Sequence, residues 1–170
     1  LILEGIRAEK EQLAPLRRMA DQVIDTSGLT PTELGHRLLS QEEILSASMR
    51  ICILSFGHKH GPPHEADLMF DARLLPNPYY VAELKEKTGL DAEVAAHALD
   101  HPQGKQFLAL LFALLDFAIP QYAASGKPYL TIAVGCTGGK HRSVAVAEAI
   151  FHHLDSSHWT KQLFHRDMEK

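Results

Sequence analysis

The chain has 170 residues, 45% of them hydrophobic and 22% charged, and a formal net charge of −4 with its 11 histidines neutral. A chain of this size and balance can bury one good core and has the composition of an ordinary soluble protein, and it presents no global basic field, so any nucleic-acid contact must use a local patch. Its two cysteines are too few for a disulfide scaffold, which fits a reducing cytoplasm.

In chain order, Ile2, Ile6, Leu13, Leu16 and Met19 recur among charged residues as an amphipathic helix that Pro15 is expected to break. Absence of an initiator Met or signal-peptide pattern at Leu1 reads as a fragment. Residues 22–25 suit a short strand. Thr30, Pro31, Thr32 and Glu33 form a capping box with Pro at the first helical position, opening a helix to about Ala47. The character of the sequence then changes, and the division is placed near Ser46, giving segments 1–47 and 48–170.

Met49 to Phe56 is an apolar strand, with Cys52 expected as a buried free thiol. The polar, proline-rich loop from Gly57 to Glu65 follows, at the strand end where ligand sites of open α/β sheets gather. His58, His60 and His64 invite a zinc reading, but no acidic or cysteine partner stands at metal spacing, so no metal site is assigned. Leu68 to Arg73 reads as a second strand. Asp71 and Arg73 can form a structural ion pair, or Arg73 and Asn77 can point into one cleft with Lys59; the sequence leaves both open.

Residues 81–103 carry two short helical patterns parted at Thr88-Gly89, the second opening at Asp91. Gly104 to Tyr122 is the most hydrophobic helix, expected in the core with one exposed stripe and kinked or ended by Pro120. The unbroken apolar run Phe107–Leu115 falls short of the ~20 residues that cross a bilayer, so no membrane segment and no membrane partner are expected. A last edge strand is placed at Thr160 to Asp167.

Leu130 to Val134 reads as an interior strand and Val144 to Leu154 as a helix, with Gly135, Cys136, Thr137, Gly138, Gly139, Lys140, His141, Arg142 and Ser143 between them. Strand, glycine-rich loop and helix start form the recurring phosphate geometry: glycines permit φ > 0 and close approach, and the helix start offers free N–H groups. Lys140, His141 and Arg142 add donors, and Ser143 is expected to cap the helix. The spacing is neither a Walker loop nor a dinucleotide fingerprint.

Taken together, Ser55 to Gly57 with Lys59 and Gly61-Pro62, Ala66-Asp67, Phe70 to Arg73, Leu75 to Pro78, Thr88 to Leu90, and above all Gly135 to Val144 resemble the C-terminal domain of the RapZ family, bacterial RNase adapter and nucleotide-binding proteins. The resemblance covers about residues 49–170. Residues 1–47, with Val23 to Ser27, resemble the tail of the same family's N-terminal P-loop kinase-like domain. The resemblance implies an α/β fold, an open sheet sandwiched by helices and similar to a phosphofructokinase subdomain, with an N-terminal αβα appendage. It further implies sensing of glucosamine-6-phosphate, binding of small RNA, presentation to RNase E, and a homo-oligomer in the cytoplasm. Carried over residue by residue, Cys136 to Ser143 become the sugar-phosphate loop, and Lys59, Arg73 and Asn77 become RNA or ligand contacts. Tyr79 stands where RNA-binding members carry His, and the chain ends Arg166-Asp-Met-Glu-Lys170 instead of in a strongly basic tail. ATP or GTP binding belongs to the intact protein, since the family's Walker loop is absent here; no cofactor is assigned to these residues.

One alternative comes from the same loop. Cys136 and Arg142 stand in a Cys-x5-Arg pattern followed by Ser143, as in cysteine phosphatases, where a thiolate of lowered pKa attacks phosphorus. Asp67 and Asp71 are the candidates for the general acid such chemistry needs.

Overall fold

The computed structural model describes residues 2–20, 23–30, 33–34, 49–155 and 159–170. The chain divides into two compact units, Leu1–Ser46 and Ala47–Lys170.

In the first unit, α1 (Ile2–Met19) runs through Pro15 without a break, against expectation. Pro15 removes one backbone hydrogen bond, but on a helix whose side chains are almost all exposed, water can take the freed carbonyl. The capping box forms: the Thr30 N–H and hydroxyl both donate to Glu33 Oε2 at 2.8 Å, and the Glu33 N–H donates back to Thr30 Oγ1 at 3.3 Å. The helix expected to follow lies outside the described residues beyond Glu33 and Leu34. Residues 23–25 carry no strand; Asp25 instead accepts the Ser27 N–H, a turn-forming bond that competes with extended pairing.

The second unit is built on four parallel strands, β1 (Arg50–Gly57), β2 (Leu68–Asp71), β3 (Tyr129–Cys136) and β4 (Thr160–His165), in the order β2-β3-β1-β4. It is an α/β fold with an open parallel sheet flanked by helices. β1 and β3 are central, and both read as nearly unbroken apolar runs because a parallel sheet is covered by its crossover helices. Ile51, Ile53, Leu130, Ile132 and Val134 alternate onto one face and meet Leu111, Leu115 and Ile119 of α3 (Pro102–Ala124) and Val146 and Ile150 of α4 (Arg142–His153) in one core cluster. A shorter helix, α2 (Ala92–Leu99), follows N-cap residue Asp91, and Val94 and Ala98 are its buried positions.

Three expectations are corrected here. Residues 81–91 form turns, and only the pattern after Asp91 becomes a helix; the Thr88 N–H and hydroxyl spend the Asp91 carboxylate on a turn. α3 is not a core helix with one exposed stripe but the reverse: Gly104, Leu111, Leu115 and Ile119 are its buried residues, while Leu110 and Phe117 are 66% and 68% exposed. It also passes Pro120 and ends at Ala124, so that by length and composition it is long enough and apolar enough to cross a membrane. The unbroken apolar run understated it because Asp116 and Pro120 sit inside the helix. Its buried stripe is spent on the sheet. Cys52, finally, is half-buried, and burial together with the Glu65 charge holds its thiol above the ordinary value.

Candidate functional site

Register places the ends of three strands side by side. Gly57 pairs with Cys136 and Asp71 with Gly135, so the loops leaving β1, β2 and β3 emerge at one sheet edge. The loop after β3 folds back onto the end of β1. A Cβ on Gly57 would lie 2.6 Å from the Gly138 carbonyl carbon, and the Lys59 N–H donates to the Thr137 carbonyl at 3.2 Å. Gly139 takes φ +83°, and a Cβ there would also meet the Gly57 nitrogen at 2.7 Å. Only Gly139 of the loop glycines uses positive φ. Gly135 serves for close approach, because a side chain there would strike the rings of His58 and Phe56.

Beside this loop lies a cavity of about 420 Å³. Lys59, Lys85, Lys140, Arg142 and Lys170 line it against the single carboxylate of Glu86, itself 3.9 Å from Lys140 and well exposed. An exposed pair of that kind is worth about 0–1 kcal/mol, so it does little to neutralise Lys140, whereas Lys170 is paired with Asp167 at 2.7 Å. Thr137 and Gly138 line it as well, and so do Asn77, Tyr79 and Tyr80, with Lys85 Nζ 4.9 Å from the Tyr79 ring centroid. Chemically, this is a pocket for an anion joined to a part that can lie against rings.

The loop side chains divide the labour differently from expectation. Ser143 does not cap α4. Its hydroxyl lies 3.1 Å from Cys136 Sγ, inside the first turn, and the Gly139 N–H donates to the same sulfur at 3.2 Å. His141 holds the N-cap position without a side-chain cap bond. Its Nε2 lies 3.1 Å from the Lys85 carbonyl, which can only accept, so Nε2 carries the proton. Burial pushes its pKa below the ordinary value, and the loop therefore gains no charge from His141 near neutrality.

Arg142 is 5% exposed. Its Nη1 donates to the carbonyls of Arg73 at 2.9 Å and Leu75 at 3.1 Å, and Nη2 donates to Thr137 Oγ1 at 3.3 Å. The guanidinium thus fastens the segment after β2 to the anion loop. Its Nε–H is buried and has no hydrogen-bond partner among the described residues.

The remaining expected residues separate. Lys59 and Asn77 reach the cavity; Arg73 does not line it. The Asn77 side chain also accepts the Tyr79 N–H. Arg73 is bonded through Nε and Nη2 to Asp71, with the shortest contact 2.6 Å, so the structural reading of that pair holds. Asp67 accepts the Thr131 N–H and pairs with Lys127 at 2.8 Å, ahead of β2 and away from the loop edge. Neither aspartate lines the cavity that Cys136 lines, which leaves the phosphatase reading without its expected acid.

Sequence reasoning missed Lys85, Lys170 and Asp167. Asp167 is wholly buried and accepts N–H groups of Gly57, Arg166 and Lys170. Burial alone would raise its pKa, but these donors outweigh it and hold the carboxyl far below the usual carboxylate range. The local signal was the charged run at the chain end, in which Asp167 and Lys170 stand three apart.

Comparison with known proteins finds that the family described as RapZ C-terminal domain matches residues 49–169. Over 99% of its length the chain is 49% identical to a nucleotide-binding protein of Caldicellulosiruptor saccharolyticus, covering 58% of that relative. It is likewise 49% identical to one of Desulfosudis oleivorans, covering 59% of it, and 45% identical to one of Rubrobacter xylanophilus, covering 56%. The chain therefore spans somewhat over half the length of the curated relatives it matches.

Proposed function

The chain belongs to the RapZ C-terminal domain family, and from that premise we propose that its second unit is a regulatory module holding a phosphorylated amino sugar, glucosamine-6-phosphate, in the cavity beside residues 136–143. The observation that carries this reading is the cavity beside the glycine-rich loop, lined by Lys59, Lys85, Lys140 and Lys170. Charge-assisted hydrogen bonds from ammonium groups to phosphate oxygens contribute about 1.5–3 kcal/mol each, so such a wall suits a phosphate. Thr137 and Gly138 line the same cavity, and the tyrosine side of the pocket accepts the sugar.

Small RNA is proposed as a second partner, bound through phosphate contacts that include Lys59, with RNase E as the receiver of that RNA. ATP or GTP belongs to the part of the intact protein that the chain does not cover, because no segment here supplies a Walker cradle. In the same reading, residues 1–47 are the tail of that nucleotide-binding domain, the protein works in the cytoplasm, and it assembles with copies of itself.

Calorimetric titration with glucosamine-6-phosphate, glucosamine and inorganic phosphate tests the central claim. Tightest binding by the sugar phosphate, weak binding by phosphate and none by glucosamine is expected. Equal affinity for sugar phosphate and inorganic phosphate would remove the sugar from the reading, and no binding of either would remove the anion site.

A further inference from the structure

From the outward face of α3 we infer that two copies of this chain pair there, their α3 helices antiparallel across a twofold axis. This rests on the self-assembly proposed above, names the face that makes it, and is independent of the anion site. Leu110, Leu114 and Phe117 are 66%, 47% and 68% exposed and lie in line along the helix, turned away from the Leu111, Leu115 and Ile119 stripe that joins the core. Three large apolar side chains so exposed on one helix face mark an interaction surface, not scattered surface residues.

The order of residues along the face says what covers it. Leu110 and Phe117 are equidistant from the midpoint between Ala113 and Leu114, and so are Gln106 and Gln121. In an antiparallel pair centred on that midpoint, Leu110 faces the partner's Phe117 and Phe117 the partner's Leu110, which is the reciprocal contact a twofold interface requires. At the crossing the small Ala113 stands opposite the partner's Leu114, so the axes can approach to about 8–10 Å. Towards the ends Gln106 meets the partner's Gln121, and each amide offers the other both a donor and an acceptor.

Charge agrees with this occupant. α3 carries two charged residues, Lys105 and Asp116, and at 3.6 residues per turn both stand about a third of a turn from the Leu110–Phe117 line. The face itself is uncharged, so two chains of net charge −4 meet there with no like charges opposed. A lipid surface fits less well. The helix is long and apolar enough to cross a membrane, but its inner stripe is committed to the sheet, its outer face lacks the flanking Lys and Arg of an interfacial helix, and its glutamine amides would face hydrocarbon. Size then sets the strength. The 23 residues of α3 make a strip about 34 Å long and about 10 Å wide, short of the ~800 Å² per partner of a standard interface, so pairing through α3 alone is reversible and depends on concentration.

Sedimentation velocity of the chain from about 1 to about 200 µM tests this, with a dimer fraction expected to rise across the range. Phe117→Glu should weaken the dimer at least about tenfold, because it sets a carboxylate against the partner's Leu110. Adding Leu110→Lys to Phe117→Glu puts opposite charges in register twice about the axis and should bring the dimer back to within about threefold of wild type. Both positions are exposed, so thermal melts of these variants should match wild type. Disulfide cross-linking in a Cys52→Ser background reads the orientation. Ala113→Cys, beside the axis, should link to its own copy, while Gln103→Cys, about 31 Å from its copy along the pair, should not. A chain that stays monomeric throughout overturns the inference and self-assembly together, whereas a dimer untouched by Phe117→Glu keeps self-assembly and overturns α3 as its face. Equal cross-linking at the two positions overturns the antiparallel pairing. Cosedimentation of a monomeric chain with phosphatidylcholine vesicles, lost in Phe117→Glu, assigns the face to a membrane and also overturns the inference. Glucosamine-6-phosphate binding should be the same in wild type and Phe117→Glu; its absence from both would strike the anion-site reading alone, with the pairing still decided by sedimentation.

Discussion

Asp167 accepts the backbone N–H of Gly57 at 2.9 Å across 110 residues of chain, tying the segment after the last strand to the end of the first. The same carboxylate holds Arg166 at 2.7 Å and Lys170 at 2.7 Å, and Lys170 lines the cavity. Asp167→Ala is expected to cost about 2–4 kcal/mol, because it leaves a buried N–H and releases two cations. Urea unfolding measures that loss, and calorimetry should show weaker anion binding. Since the folded-state pKa is depressed, its stabilisation is present above the ordinary carboxylate value and disappears as pH falls below about 4. An acid limb identical in wild type and Asp167→Ala would refute this role.

The contact between Gly57 and the loop gives a steric prediction. Gly57→Ala puts a Cβ 2.6 Å from the Gly138 carbonyl, where backbone on both sides must move, and Gly139→Ala adds a positive-φ penalty to a 2.7 Å contact. Each should destabilise by about 1–3 kcal/mol and weaken anion binding. Gly61→Ala is the comparison: its φ is also positive, at +85°, but nothing lies within 4 Å of its Cβ, so it should lose stability and leave the anion affinity as it was. Thermal melts and calorimetry on the three variants separate strain from collision.

The central strands and the organising loop were legible because their signals are local. β1 and β3 are apolar runs ended by glycine-rich turns, and those turns follow them directly in sequence. What escaped were relations between distant residues. Nothing near Asp167 announces Gly57, and nothing near Arg142 announces the carbonyls of Arg73 and Leu75, so a guanidinium expected to add donors to the anion loop is found holding backbone. α3 was misread for a different reason. Hydrophobicity alone cannot say which of several apolar stripes meets the sheet, and here Leu110 and Phe117 lie on the side away from it.

That backbone role makes Arg142→Ala a poor probe of ligand contact by itself. The change deletes bonds to two carbonyls and Thr137 Oγ1 and leaves acceptors buried, so about 2–4 kcal/mol of stability should go with it. Arg142→Lys keeps the charge but cannot reproduce the fork, and it should lose both stability and anion affinity. Denaturant midpoints that match wild type in Arg142→Lys would show that the guanidinium is not a fastener.

Burial holds the His141 pKa below its ordinary value, outweighing the upward pull of the Lys85 carbonyl. The unfolded chain takes up a proton at His141 near pH 6.5, while the folded chain resists it to lower pH. Folding stability therefore falls as pH drops from about 6.5 toward the folded-state value. His141→Gln, with an uncharged donor in place of Nε2–H, should flatten that slope. Urea midpoints at pH 7, 6 and 5 for both proteins provide the check; parallel decline in the two would assign the slope to other histidines.

Lys59 and Arg73 both follow apolar strands and looked alike as candidate contacts, but the structure separates them. Lys59 lines the cavity, and its amide holds the Thr137 carbonyl; Arg73 is half-exposed and neutralised by Asp71. Lys59→Ala should therefore weaken glucosamine-6-phosphate binding by about 1–2 kcal/mol with little change in stability, since the amide bond survives the substitution. Arg73→Ala should leave that affinity unchanged and cost at most about 1 kcal/mol of stability for an exposed pair. If a structured small RNA binds the same cationic wall, its affinity should fall steeply between 50 and 200 mM salt, about one power of salt per phosphate neutralised, and Lys59→Ala should lower that slope by roughly one while Arg73→Ala does not. Parallel titrations of sugar phosphate and RNA against the two variants give four affinities and two salt slopes. Equal loss in both variants would place Arg73 in the ligand's path and break the distinction its pairing with Asp71 implies.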